Sequence, residues 1–140
     1  MGTERLWSYA SRRPVGEMKA ALEAALARRP VILYALVDHA RDMRARGVEG
    51  VPETYTFIFG NPRLGAGLVA VSPAAVADMP LRLGLIPDGP GSRVVYRRLA
   101  EALADHDPAL AAPGQAADEL VAAIVQEADA SGPAPGGEEA

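Results

Sequence analysis

The residues of this chain that could do chemistry are few. Two histidines stand in it, His39 directly after Asp38 and His106 between Asp105 and Asp107. An imidazole titrates near neutrality, so a positioned His can move protons. A neighbouring carboxylate can orient it, although neighbours on a strand point to opposite faces. The plainer reading has Asp38 capping a helix, His39 half exposed and His106 at a solvated helix end. Asp78 precedes Pro80 by two residues and could act as a base if buried; its plainer role is a cap or turn. His39 and Asp78 are therefore the candidates for acid–base work. If His39 and His106 met they could ligate a metal or haem, but two His without any Cys is thin support, and no metal site is expected.

The run Gly60, Asn61, Pro62, Arg63 reads as a strand-to-helix junction. Backbone amides at a helix N-terminus can hold an anion, Arg63 could add charge, and Asn61 could bond a carbonyl. The same residues read equally as punctuation, in which Gly bends, Asn caps and Pro starts the helix. No Gly-Lys-Ser/Thr follows, so the run is not a phosphate-binding P-loop. Tyr34, Tyr55 and Tyr96 fall on strand-like segments and could line a pocket with their hydroxyls, or sit in the core with those hydroxyls satisfied. Ser72 has no Gly-x-Ser-x-Gly surroundings, which argues against a hydrolase elbow.

Around these residues the patterning places elements. Residues 6–10 alternate as a first strand. Val15, Met18, Leu22 and Leu26 recur at helical spacing, and Pro30 ends that helix. Residues 31–37 are apolar on both faces, which calls for cover on both and suggests a ligand cleft or a dimer interface. A short helix over 39–46 follows Asp38. The strand 54–59 puts Tyr55, Phe57 and Phe59 on one face, and a glycine-softened helix runs from Asn61 to about 71. Strands at 81–86 and 93–96 form a hairpin about a turn at 87–91. Residues 99–105 are helical and 108–114 a loop. Leu120, Val121, Ile124, Val125 and Ala128 make a closing amphipathic helix. The sum is an α+β fold, a single mainly antiparallel sheet of about five strands with helices chiefly on one face. It spans residues 1–130 as one domain, with a mobile low-complexity tail at 131–140.

Composition narrows the function. At 140 residues with 49% apolar content the chain can bury a core without disulfides or metal. Its net charge of -4 and scattered arginines lack the clustered basic footprint of a nucleic-acid binder. It has no cysteine, hence no thiolate site or Cys nucleophile. Met1 to Trp7 has no signal-peptide pattern, and no apolar run reaches spanning length, so a cytoplasmic protein without membrane contact is expected.

Three pieces together carry a family likeness: the run Val37, Asp38, His39, Ala40; Phe57 to Pro62, reading Phe-Ile-Phe-Gly-Asn-Pro; and Asp78, Met79, Pro80, Leu81. From Gly16 to about Leu103 the chain resembles the bacterial family called domain of unknown function three-hundred-and-two. The resemblance implies a compact α+β domain similar to homodimeric members, and no agreed activity or cofactor. The chain departs from the pattern at Gly65, Ala66, Gly67 and Val69, and at Gly84 to Pro87, which makes a cleft more apolar and less acidic. The expectation is a small homodimeric domain binding an apolar small molecule between the sheet and the helix 61–71, with Tyr34, Tyr55, Asn61, Arg63 and Tyr96 around the ligand and no cofactor. The alternative is a cofactor-free isomerase, cyclase or lyase acting on a carbonyl or polyketide-like substrate. A third reading is a homodimeric structural or interaction protein.

Overall fold

The computed structural model describes residues 4–131. In chain order its elements are β1 (Leu6–Ser11), α1 (Val15–Ala27), β2 (Ile32–Asp38), α2 (His39–Arg44), β3 (Tyr55–Gly60), α3 (Pro62–Val71), β4 (Leu81–Asp88), β5 (Gly91–Arg97), α4 (Ala100–Ala104) and α5 (Ala111–Ser131). Short 3-10 turns at Pro73–Asp78 and Pro108–Leu110 lead into β4 and α5. The five strands form one antiparallel sheet ordered β1-β5-β4-β3-β2. The class is α+β. The tail read at 131–140 lies outside the described residues, save Ser131, which closes α5.

Strand alternation decides which face is dry. Tyr55, Phe57 and Phe59 of β3, Leu81, Leu83 and Leu85 of β4, and Val94 and Tyr96 of β5 are all buried. They share one apolar cluster with Met18, Leu22 and Leu26 of α1 and Val121, Ile124 and Val125 of α5. The residues between them on the strands face the other way. Thr56, Ile58, Gly84 and Val95 are only half-buried, and Arg82 and Arg97 are exposed. The two long helices therefore cover one face of the sheet and leave the other open.

A polar clamp joins the first strand to the last helix. Arg13 is 2% exposed; its Nε and Nη2 donate to the Asp129 carbonyl at 3.1 and 2.8 Å. The Asp129 carboxylate accepts from Tyr9 at 2.7 Å and Ser11 at 2.6 Å. Burial and this carboxylate push the Tyr9 hydroxyl up to about 12.

Three segments differ from the patterning. The strand at 31–37 is not covered on both faces; β2 is an edge strand, with Ile32 46% and Tyr34 54% exposed. A register shift between Leu33 and Ala35 bulges Tyr34 out of the ladder, so strict alternation does not hold there. The turn at 87–91 narrows to Gly89 and Pro90, because β4 continues through Pro87 to Asp88. The loop at 108–114 is instead a 3-10 turn and the start of α5. Pro113 falls in the first turn of α5, where its missing N–H is no loss. Gly114 packs where a Cβ would stand 2.8 Å from Ala100 Cα, so α4 lies closer to α5 than any larger residue allows.

Candidate functional site

Asn61 ends β3 and starts α3, and the local chemistry explains how. Its side-chain oxygen accepts from the Arg63 amide at 2.9 Å and the Leu64 amide at 3.4 Å, while Pro62 takes the first helical position. The helix so started lies over a second apolar cluster, formed by Leu68, Ala75, Leu103 and Leu110 with Met79 against it. Leu64 and Leu99 pack on this cluster and on the main core alike.

Between the two clusters is a pocket of about 180 Å³. Leu64, Gly65 and Leu68 of α3 form one side, Val76, Met79 and Pro80 the second, and Leu99 and Leu103 the third. Tyr34, Gly60 and Asn61 stand at the end of the sheet. Val76, 58% exposed, and Tyr34, 54% exposed, leave it open to solvent. Gly65 matters here, since a Cβ would meet Met79 Cε at 3.0 Å and crowd the opening.

The α4 wall is held by a residue that the motifs did not single out. Asp118 of α5 is 1% exposed. Its Oδ1 accepts from the Tyr96 hydroxyl at 2.6 Å and the Leu99 amide at 2.8 Å, and its Oδ2 from the Ala100 amide at 3.2 Å. Arg98 Nε lies 3.7 Å from Oδ2. The carboxylate thus caps α4 from the side. Burial, then the bond to Asp118, holds the Tyr96 hydroxyl far above its ordinary value. The signal for Asp118 was present: stepping back three or four from Val121 along the apolar face reaches it.

The candidate residues separate. Tyr34 and Asn61 come together at the pocket. The Asn61 oxygen is engaged in its cap, and the two amides it bonds are those an anion would need at the α3 N-terminus. Arg63 is exposed beyond the cap and does not line the pocket. Tyr55 lies in the core outside it; its hydroxyl donates to Glu53 at 2.6 Å, and that bond, then burial, pushes it up to about 12. Tyr96 is taken by Asp118. His39 follows the far end of the β2–β3 ladder, with its Nε2 2.7 Å from Thr56 Oγ1. Thr56 is five residues from Asn61 along β3, roughly 17 Å at about 3.4 Å per residue. Asp78, on the turn that walls the pocket, faces away and meets His106 Nε2 at 2.7 Å. His39 and Asp78 thus belong to different parts of the molecule. Among the described residues no group of three or more His, Cys, Asp or Glu could hold a metal ion, and no helix is long and apolar enough to cross a membrane.

A five-stranded antiparallel sheet with its long helices on one face, and an apolar pocket at its β2–β3 end, defines a small α+β domain class. The chain belongs to the DUF302 family, a domain of unknown function, whose model matches residues 7–128. It is similar to the crystal structure of an uncharacterized conserved DUF302 protein from Bacillus stearothermophilus, with a TM-score of 0.82 at 12% identity, over 90% of this chain and 99% of that one. Likeness at that identity concerns the fold alone. No curated protein matches the chain.

Proposed function

We propose that the protein binds a small apolar molecule in the pocket between α3, α4 and the sheet end. One observation carries this reading: a cavity of about 180 Å³ walled by Leu64, Leu68, Val76, Met79, Leu99 and Leu103, between two clusters that pack tightly on either side. An apolar cavity of about 150 Å³ is enough to hold benzene. The occupant is therefore a ring or short chain of that order, with Tyr34 and Asn61 at its polar end.

The test is a screen of apolar fragments of one and two rings by thermal shift and two-dimensional NMR, on the wild type and Val76→Trp. One-ring compounds should raise the melting temperature and perturb α3 and α4 amides, and the Trp side chain should abolish both effects. Fragments that act equally on both proteins would sink the proposal.

A second reading, a cofactor-free acid–base enzyme on a carbonyl substrate, draws on the 2.7 Å contact between His106 Nε2 and the Asp78 carboxylate. The pair holds an imidazole oriented by a carboxylate beside the pocket wall. His39, bonded to Thr56, stands apart from it. Incubation of carbonyl-bearing hits with wild type, His106→Ala and Asp78→Asn, followed by product analysis, tests it; turnover unaltered in both variants would end this assignment. A homodimer is the arrangement that the exposed Ile32, Leu33 and Tyr34 of the edge strand support. Sedimentation of wild type against Leu33→Lys reads it directly, and a wild type that stays monomeric at high concentration rules it out.

A further inference from the structure

At the end of the sheet, on the open face, lies a second and chemically different hollow. It measures about 120 Å³, and its charged lining is Arg5, Arg82, Arg97 and Arg98 together with Asp78, Glu101 and Asp105. In a chain whose net charge is -4 this is a local concentration of guanidinium groups. Their partners can be accounted for one at a time. Arg5 pairs with Glu101 at 2.8 Å. Arg98 donates to the Glu4 carbonyl at 3.0 Å and lies 3.7 Å from Asp118. Asp78 is engaged by His106. The side chains of Arg82 and Arg97 make no hydrogen bond or ion pair within the described residues.

These two arginines are also neighbours across the sheet. Gly84 pairs with Val95 in the β4–β5 ladder. The ladder ends there, and Arg82 and Arg97 lie just beyond it on the two adjacent strands, exposed on the open face and lining the same hollow. Like charges that share one hollow repel and destabilise the fold. Asp105 is the one lining carboxylate without a described partner, and a single carboxylate leaves one of the two charges uncompensated.

We propose that Arg82 and Arg97 form the floor of a binding site for a small dianionic oxyanion of the phosphate type. Two planar guanidinium forks lining one hollow from adjacent strands match an acceptor with several oxygens and two charges, each fork able to give paired N–H···O bonds. A hollow of about 120 Å³ admits the anion or the phosphate end of an ester. The site is separate from the apolar pocket, and neither proposal requires the other.

The experiment titrates the full chain with inorganic phosphate at constant ionic strength, read by calorimetry and by arginine side-chain NMR. It uses wild type, Arg82→Gln, Arg97→Gln and, as control, Arg44→Gln on the exposed face of α2. Saturable binding is expected for wild type and Arg44→Gln, weakened about tenfold or more when either floor arginine is lost, the scale of one charge-assisted contact. Glycerol phosphate in a parallel arm separates an ester from the free ion. Acetate should bind much more weakly; acetate binding as tightly as phosphate would overturn the dianion assignment. A second readout is independent of any ligand. In phosphate-free, low-salt buffer Arg82→Gln and Arg97→Gln should each melt higher than wild type, because one of two repelling charges is gone. Lower melting in both, no saturable phosphate effect, or a change in sedimentation instead of phosphate affinity would each refute the site. Val76→Trp, which blocks the apolar pocket, should leave phosphate binding unchanged.

Discussion

Replacing Asp118 by Ala is expected to be among the most damaging single changes in this fold. The carboxylate is 1% exposed and accepts three donors, from Tyr96, Leu99 and Ala100. Hydrogen bonds to a charged group contribute about 1.5–3 kcal/mol each, but they do not add, and removing the charge also removes its desolvation cost. Stranding the buried Tyr96 hydroxyl and the first amides of α4 should cost about 3–5 kcal/mol in net. With an unfolding entropy of about 2.1 cal/mol/K per residue, that loss lowers Tm by roughly 10–17 °C for a chain of this length. Asp118→Asn separates charge from shape. It keeps Oδ1 for Tyr96 and Leu99 but turns an amide donor toward the Ala100 N–H, so about 1–3 kcal/mol should be lost. Calorimetry and urea denaturation, with Tyr96→Phe as the second arm of a double-mutant cycle, measure all of this. A loss under about 1 kcal/mol for Asp118→Ala, no greater than for its exposed neighbour Glu119→Ala, would refute the reasoning.

Three further expectations can be checked alongside. Asn61→Ala should lower stability by about 1 kcal/mol through loss of the α3 cap, read from the denaturation midpoint. Gly114→Ala and Gly67→Ala should have opposite signs. The first drives a Cβ against Ala100 and should cost about 1–3 kcal/mol despite its helix propensity, whereas the second meets nothing within 4 Å and should add about 0.4–1 kcal/mol. Tyr9 keeps its proton to about 12 when folded against an ordinary value of 10.0. Between those values the native state holds a proton that the unfolded chain has released, so stability is full below the lower value and falls through the upper. An alkaline melting series should show this decline, flattened in Tyr9→Phe.

The elements were legible wherever a local rule had no rival. Asn61 with Pro62 announced α3, and Phe57 and Phe59 announced the core face of β3, because capping and alternation act over a few residues. Residues 31–37 were legible as a strand but not as an edge, because an apolar run says nothing about where its strand lies in the sheet; the edge position and the bulge at Tyr34 come from pairing with β3. The start of α5 was hidden by Pro113 and Gly114, which break helices inside them and are tolerated in a first turn and at a close packing contact. The helix after Asn61 was legible, while the pairings around it were not. Asp78 and His106 are 28 residues apart and Tyr96 and Asp118 are 22 apart. Such pairings depend on how helices return to the sheet.

The clamp of Arg13 and Asp129 has a consequence for timing. Among the described residues strand β1 pairs only with β5, and Tyr9 reaches a partner 120 residues further on. During synthesis the first strand therefore has nowhere to dock until β5 is made, and it is not secured until the final turns of α5 arrive. Ends met so late put a long closure ahead of the reward, which slows folding. Deleting α5 from residue 126 onward should release β1 to proteases while β3, β4 and β5 stay protected. Measured by limited proteolysis, that pattern would mark the N-terminus as the last piece of the sheet to form and the first to leave it.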